Sequence, residues 1–403
     1  MIKKLFHRLL RRHHFWRHAS FDELSQIYIS SFFRTMAISL VGVFIPIFLY
    51  GLGYGLTGVF VFHLMYFIAR SIIHLPAGYL IARVGPKHSI LLSFIAQLAS
   101  SLMFLLLPYY DIPLVVIATT WAIANTLFFV AYHVDFSKVK HSDHSGKEMG
   151  IANMVQRVGG ALGPVTGGVV ATLFGPQYIF LVMSAMLFIG VLPLFTTAEP
   201  TQTRQKIRFR ALALGKMKRD LLSYIGLTVP HHLSVSLWPF FLALYALGDE
   251  VYLELGALSS IAFLVSILTA FAIGRTADKG KGRSLLRASS VADMFVQFMK
   301  PFVNSFPFAL TVNSVGESTA VTMRITYHKG MYDAADSHPG NRIVYVSIME
   351  LAGALSKAVI WLVMLLVGIH IGFEVAFTLG FIIAGVASVI TLVERFPALG
   401  KRV

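Results

Sequence analysis

The stretch GYLIARVGPK, residues 78–87, ends a long apolar run and has a counterpart, GRTADKGKGR, at residues 274–283. Each stretch begins with glycine and continues into basic residues. Two further pairs recur at the same separation of about 195 residues: Tyr132-His133 with Tyr327-His328, and Gly160-Ala161-Leu162 with Gly353-Ala354-Leu355. Because the matches follow one another in the same order, we predict two parallel copies of one helical unit.

The apolar runs around these stretches are long enough to cross a membrane. Hydrophobic residues make up 56% of the chain and charged residues only 13%, whereas a soluble protein carries roughly 25% charged residues. This composition excludes a soluble enzyme and a secreted protein. Because a span needs about 20 apolar residues, we predict an all-α membrane protein with twelve transmembrane helices, at residues 26–50, 56–80, 88–109, 113–134, 149–173, 177–196, 221–247, 255–274, 285–303, 306–327, 343–369 and 373–394.

Lys and Arg lie in alternate connections between the predicted helices. They precede the first helix, follow helices two, four, eight and ten, and occur in the central polar segment and at the C-terminus. Connections rich in these residues stay in the cytoplasm, so both termini are predicted to be cytoplasmic, in a plasma (inner) membrane. The net charge of +15 is therefore an orientation signal, and nucleic-acid binding is not expected. The opposite connections contain no Lys or Arg: Gly51–Gly55, Tyr109–Pro113, Gly175–Gln177, Gly248–Glu254, Asn304–Pro307 and Gly368–Glu374.

A polar segment at residues 198–219 divides the chain into two six-helix halves, residues 21–197 and 220–403. We predict that it is a cytoplasmic linker. Residues 1–20 carry apolar side chains on one helical face and basic ones on the other, which is typical of a helix lying on anionic inner-leaflet lipid. A soluble partner-binding arm is the alternative. Two parallel halves place a solute site between them, near the middle of the bilayer, and we expect a monomer.

Over essentially its whole length the chain resembles the major facilitator superfamily of secondary transporters. The stretch at 78–87 is similar to that family's first signature, although Ala82 replaces its acidic residue. The resemblance implies two pseudo-symmetric six-helix bundles, with this loop helping to hold the halves together on the cytoplasmic side. The matching residues are Gly78, Arg83, Gly85 and Lys87 in the first copy, and Gly274 and Asp278 in the second.

Helix five carries a glycine pattern that is similar to the signature of the family's antiporter branch. Gly159, Gly163 and Gly167 share one face, where another helix can approach closely, and Gly168 extends the pattern. Pro164 removes a backbone hydrogen bond and permits a bend. The resemblance implies antiport, but ordinary packing of small residues explains the glycines equally well. The arginine that family antiporters often carry in helix four is missing.

Ionisable residues inside the predicted spans are expected to face a cavity or a partner, because each costs roughly 2.5–3.5 kcal/mol on insertion scales. The acids lie in the second half and the arginines in the first, which favours pairing across a central cavity; Lys300 and Lys357 are further basic candidates. An acid whose partner moves can take up and release a proton, and Glu317 is the first candidate. A permanent ion pair between the halves is the alternative. The predicted charge relay consists of Glu317, Asp293, Glu350, Arg34, Arg70 and Arg157.

Seven other residues are candidates for lining a substrate cavity: His63, Trp121, Asn125, His231, His232, Trp238 and Asn313. Ordinary packing positions are the alternative for each of them. No metal site is expected, since the histidines and aspartates near residues 133–144 lack a constraining scaffold. The chain contains no cysteine, which excludes disulfides and thiolate sites. It also lacks a phosphate-binding loop, so we expect no cofactor, no enzymatic activity and a proton gradient as energy source.

The sequence therefore predicts a secondary transporter that works by alternating access. The preferred form is proton-coupled antiport that exports a small organic compound. A lipid flippase or a facilitator for an anionic or amphipathic substrate is the first alternative, because the arginines of the first half suit an anionic headgroup. A membrane scaffold that retains the fold without transport is the second, since a fold does not dictate function.

Overall fold

The computed structural model describes residues 21–139, 145–195, 207, 214–276, 282–336 and 341–399. Within these ranges it contains twelve long helices, which confirms the predicted all-α fold. The N-terminal segment 1–20, most of the linker and Asp278 lie outside the described residues. The helices are α1 (Phe21–Gly42), α2 (Gly55–Val84), α3 (Pro86–Leu106), α4 (Leu114–Val139), α5 (Ser145–Phe174), α6 (Tyr178–Val191), α7 (Leu214–Tyr245), α8 (Val251–Thr276), α9 (Gly282–Met299), α10 (Phe306–Asp336), α11 (Arg342–His370) and α12 (Phe373–Ile390).

Proline and glycine residues mark breaks between the helices. After α1 a short helix, Ile45–Leu49, begins with a proline in its first turn, and a π-helical turn leads from it into α2. Only Gly85 separates α2 from α3, with a φ of 92° that suits glycine. One predicted boundary differs: α10 continues to Asp336 instead of ending near residue 327, so Arg324 lies well inside the helix.

Seven segments of the described residues are long and apolar enough to cross a membrane. Side chains on the outer surface are also apolar, with Ile72 68% and Leu268 71% exposed, as a surface that contacts lipid requires. Helix α6 is apolar but shorter, whereas α9 carries the buried Asp293 and Gln297, and α10 carries the half-buried Asn313 and Glu317. The seven segments are Ile45–Val84, Pro86–Leu106, Leu114–Tyr132, Met217–Tyr245, Val251–Ile273, Arg342–His370 and Phe373–Val393.

The helices form two bundles that meet along two helix pairs. In the first half α5 packs on α1, and α4 packs on α2 and α3; in the second half α10 packs on α8 and α9, and α12 packs on α7. Between the halves, α2 packs against α11 and α5 packs against α8. Because α8 repeats α2 and α11 repeats α5, the two pairs are related by the pseudo-two-fold axis expected of a parallel duplication.

Helix α5 uses glycines on two faces. Gly159, Gly163 and Gly167 lie against α1, so closely that a Cβ atom on Gly163 would come within 2.7 Å of the backbone nitrogen of Leu40. Gly160 and Gly168 lie against α8 of the other half. Next to Pro164, the backbone N–H of Val165 donates to Ser260 Oγ at 3.0 Å. One helix thus holds its own half together and also forms part of the contact between the halves.

Aromatic rings join the two halves at the end of the bundle opposite the linker, which we call the far end. Phe60 on α2 is fully buried, and its ring lies 5.1 Å from Trp361, 5.2 Å from Phe373 and 5.7 Å from Phe377, all edge-on. Tyr50 contacts Phe240 across the same end at 5.8 Å. Edge-to-face pairs each stabilise by about 0.5–1.5 kcal/mol beyond area burial, so this cluster closes the far end.

Replacing Phe60 with leucine is expected to weaken that closure by about 1–2 kcal/mol, since aliphatic carbons replace three edge-to-face contacts. The far end should then open roughly 5–30 times more often. The absence of native cysteine makes this measurable: a single Thr228→Cys in the cavity reports opening through its rate of labelling by an impermeant maleimide. The matched control is Phe48→Leu, whose ring contacts Phe104 and Phe180, both in the first half. Equal labelling rates in the two variants would contradict the assignment.

Candidate functional site

A cavity of about 500 Å³ lies between the halves. It is lined by α1, α2, α4 and α5 of the first half and by α7, α8, α10 and α11 of the second. Five of its lining side chains are cationic and two are carboxylates, so charged groups alone give it an excess of three positive charges. They are Arg34, Arg70, Arg157, Arg324, Lys357, Glu317 and Glu350.

Arg70 and Glu350 form an ion pair that joins α2 to α11 across the cavity. Arg70 Nη2 lies 3.3 Å from Glu350 Oε2, and both side chains are about nine-tenths buried. Glu350 Oε1 also accepts a hydrogen bond from the Tyr224 hydroxyl on α7. His74 Nε2, one turn after Arg70, lies 3.8 Å from Glu350 Oε2. The carboxylate of Glu350 is therefore contacted by three side chains from two helices, α2 of the first half and α7 of the second.

A second charged group lies around Glu317. Arg324 Nη2 is 3.9 Å from Glu317 Oε2, and Arg324 Nη1 donates to His231 Nε2 at 3.3 Å. Arg157, on α5 of the other half, donates to Ser266 Oγ on α8 at 2.8 Å and lies within electrostatic range of both Glu317 and Arg324. Two arginines thus flank this carboxylate.

The other two cations lie on aromatic faces. The Arg34 guanidinium is 3.4 Å from the ring centroid of Phe128 and donates to Asn125 Oδ1 at 3.3 Å. Lys357 Nζ is 5.6 Å from the ring centroid of Phe67. Within the described part of the chain, neither side chain forms an ion pair, and Arg157 forms none either. An incoming anion would therefore meet three cations without carboxylate partners.

Aromatic and histidine side chains of α7 and their partners complete the wall. His232 Nε2 accepts from Trp361 Nε1 at 2.9 Å, and the ring of His63 stacks on Trp361 at 4.4 Å. Nearer the far end, Trp238 Nε1 donates to Asn313 Oδ1 at 3.3 Å. These hydrogen bonds orient the rings of His232 and Trp238, which border the cavity, whereas Trp361 and His63 lie behind His232.

Most of the residues predicted from the sequence lie together at this cavity, and the rest lie behind it. Glu317, Glu350, Arg34, Arg70, Arg157, His231, His232, Trp238 and Asn313 line it. Asn125 supports Arg34, His63 supports Trp361, and Trp121 packs on Phe104 at 5.6 Å in the first-half core. The prediction that Asn125, His63 and Trp121 line the cavity is therefore wrong. No cluster able to hold a metal occurs among the described residues.

Asp293 points away from the cavity, into the second half. Its carboxylate accepts hydrogen bonds from Thr319 Oγ1 at 3.0 Å, Ser388 Oγ at 2.5 Å and Gln297 Nε2 at 3.3 Å. It therefore ties α9 to α10 and α12. Lys300 is likewise directed into its own half, where it donates to Ser234 Oγ at 2.7 Å. The expected pairing of Asp293 across the cavity does not occur, because α9 is not a cavity-lining helix.

The signature residues lie where α2 meets α3, at the linker end. Gly78 and Lys87 are buried, Arg83 is exposed, and Gly85 makes the sharp turn. Ala82, which replaces the acid of the family pattern, packs against Ile343 at the start of α11, with Ile207 of the linker beside them. An apolar contact between the halves thus occupies the place of a charged one. Gly274 lies near the end of α8.

Three site residues were not predicted from the sequence: Arg324, Tyr224 and His74. Two of them follow a predicted residue on the same helical face. Arg324 comes two turns after Glu317, and His74 comes one turn after Arg70, a spacing that brings side chains together. Tyr224 has no such signal.

Comparisons with known proteins agree on one family. The sequence profile of the Major Facilitator Superfamily matches residues 27–327. No curated protein matches the sequence. A variant of the E. coli fucose:proton symporter FucP is similar in structure, with a TM-score of 0.63, 12% identity, and coverage of 92% of this chain and 97% of that one. The human organic anion transporter MFSD10 (TETRAN) gives a TM-score of 0.64 and 12% identity, covering 91% of this chain and 98% of that one.

Proposed function

This chain belongs to the major facilitator superfamily, and on that premise we propose that it is a secondary transporter that carries a small amphipathic organic anion by alternating access. The observation that supports an anion most directly is the excess of three positive charges in the cavity. Buried charges are costly, and three of these cations have no carboxylate partner among the described residues. A bound anion would offset that cost.

The aromatic lining supports an amphipathic substrate. Phe67, Phe128, Phe263 and Trp238 border the same cavity as the arginines. Ligand sites combine apolar walls with a few placed polar groups, and here those polar groups are guanidinium groups. A carboxylate or sulfonate on an aromatic or aliphatic body matches this combination.

The proposal also includes three predictions made from the sequence. They are proton coupling, export, and an inner-membrane location with cytoplasmic termini. Export by antiport requires that proton and substrate displace each other, whereas cotransport requires that they bind together. Lipid flipping remains the second candidate, because the same arginines suit a phospholipid headgroup.

The direct test uses proteoliposomes and p-toluenesulfonate, whose charge is independent of pH, with p-toluenesulfonamide as its neutral isostere. We expect saturable uptake of the sulfonate alone, driven by a proton gradient and reversed when the gradient is reversed. Naphthalene sulfonates and benzoate widen the panel. Equal handling of sulfonate and sulfonamide would refute an anion site. Scrambling of fluorescent phosphatidylserine without sulfonate transport would favour the flippase.

Arg34→Gln tests the cation excess without leaving a carboxylate unpaired. A hydrogen bond to a charged group is worth about 1.5–3 kcal/mol, so sulfonate affinity should fall about 10–100-fold while the protein stays folded. Titration calorimetry measures the affinity. Arg83→Gln, an exposed arginine of the same half, is the control and should bind as the native protein does. An unchanged Kd in Arg34→Gln would remove this arginine from the anion site.

A further inference from the structure

His74 is held in one tautomer. Its ring is fully buried, and its Nδ1 lies 2.5 Å from the backbone carbonyl oxygen of Arg70. Because a carbonyl oxygen only accepts hydrogen bonds, Nδ1 carries the hydrogen. The other ring nitrogen, Nε2, is then a bare acceptor unless the ring takes up a second proton. Nε2 is buried and has no hydrogen-bond partner among the described residues.

The bare nitrogen faces a carboxylate. Nε2 lies 3.8 Å from Glu350 Oε2, the same oxygen that contacts Arg70. An unprotonated imidazole nitrogen and an ionised carboxylate repel each other. One proton, on either Nε2 or Glu350, converts this repulsion into attraction between a donor and an acceptor. The two groups can therefore share a single added proton.

That proton also changes the charge next to Arg70. With the pair unprotonated, Glu350 neutralises the Arg70 guanidinium across the cavity. With the proton bound, the group of Arg70, His74 and Glu350 gains one positive charge. The next anion to enter the cavity meets that added charge, so binding of the anion and of the proton must reinforce each other.

We propose that His74 and Glu350 form one proton-binding site whose occupancy sets the affinity of Arg70 for the substrate anion, so that proton and anion bind together. This inference rests on the proposed anion transport and specifies its coupling. It corresponds to cotransport, in place of the antiport predicted from the glycines of α5. It also makes Glu350, and not Glu317, the carboxylate that carries the proton.

The surroundings distinguish the two carboxylates. Glu317 is flanked by two arginines, Arg324 and Arg157, and the histidine next to Arg324, His231, already uses its Nε2 to accept a hydrogen bond from that arginine. Glu350 contacts Arg70, the Tyr224 hydroxyl and the bare Nε2 of His74. The charged and titratable groups around the His74–Glu350 pair include Arg70 of α2, Tyr224 of α7, Tyr332 of α10 and Lys357 of α11, and Tyr66 and His232 lie next to Arg70.

The experiment measures proton uptake on anion binding in the native protein. Calorimetric titration with p-toluenesulfonate, in buffers of different ionisation enthalpy, gives the number of protons taken up per anion. We expect a value approaching one, and a Kd that rises about tenfold per pH unit above the transition, within roughly pH 5 to 8. Since the sulfonate does not titrate, the uptake belongs to the protein.

Two variants locate the proton site, and a third provides the matched control. Glu350→Gln should bind the sulfonate with no proton uptake. His74→Asn keeps an N–H near the position of Nδ1 but removes Nε2, and should shift or abolish the pH response. Glu317→Gln makes the same substitution in the same cavity and should retain it. If Glu350→Gln or His74→Asn fails to fold, proton uptake by the native protein and by Glu317→Gln still tests whether the proton binds at Glu317.

Each outcome has a definite meaning. Loss of proton uptake in Glu317→Gln, with retention in Glu350→Gln, would overturn this inference in favour of Glu317. Sulfonate binding without proton uptake in the native protein would also overturn it, while leaving the anion site intact. Failure of every sulfonate and carboxylate in the panel to bind the native protein would instead refute the proposed function.

Discussion

Replacing Arg70 with glutamine is expected to destabilise the folded protein by about 3–5 kcal/mol, the cost of leaving one member of a buried ion pair without its partner. The partner is Glu350, which is as deeply buried as Arg70 and lies in the other half of the chain. Glutamine keeps the Cβ, Cγ and Cδ atoms of arginine and replaces the charged guanidinium with a shorter, neutral amide. Most of the loss should therefore be electrostatic.

The double variant Arg70→Gln/Glu350→Gln separates the two causes. Removing both charges should recover most of the stability, because no unpaired carboxylate then remains. Thermal unfolding in detergent, followed by fluorescence and by size-exclusion chromatography, measures both proteins. Arg34→Gln supplies the matched control, since Arg34 is equally buried but has no carboxylate partner. A double variant no more stable than Arg70→Gln would contradict a coupled pair.

The second large effect is expected on α5. A Gly163→Ala substitution adds one carbon where the backbone nitrogen of Leu40 and the carbonyl oxygen of Met36 would each be 2.7 Å away. Real Cβ atoms do not approach backbone so closely, and backbone cannot rotate aside as a side chain can. We expect α1 and α5 to separate, with a loss of about 3 kcal/mol or more.

Gly51→Ala is the control for that experiment. Nothing lies within 4 Å of a Cβ atom at Gly51, and its φ is not in the left-handed region, so stability should change by no more than about 1 kcal/mol. The measurement is the yield of monodisperse protein together with its unfolding temperature. Equal behaviour of the two alanine variants would mean that α1 and α5 do not depend on close contact.

The helices were predictable from sequence because lipid imposes their length and because basic residues mark alternate connections. The direction in which a buried side chain points could not be predicted from the sequence. Asp293 and Glu317 look alike in sequence, as acids within apolar runs, but Asp293 binds three donors inside its half and Glu317 faces the cavity. The difference depends on the rotation of α9 and α10 about their axes, which packing against distant helices decides.

The sequence also predicted the wrong end for helix ten, for a physical reason. Arg324 lies near the predicted end of helix ten, at residue 327, because the apolar run stops there, but a helix can continue beyond its apolar run. Helix α10 continues well past it, and the side chain turns into the cavity. His74 needed a partner from the other half of the chain, and a single sequence does not reveal such a pair.

The two glycine faces of α5 affect different properties of the protein. One face affects folding of the first half, and the other affects how the two halves are oriented. The face toward α1 contacts a helix of its own half, which moves with it, whereas Gly168 contacts α8 of the other half, where a Cβ atom would come within 2.5 Å of the Tyr252 carbonyl oxygen. Larger residues on the first face should prevent folding. On the second face they should instead favour the orientation in which the halves are apart there. Evolution can therefore adjust turnover at one face of this helix without altering whether the protein folds.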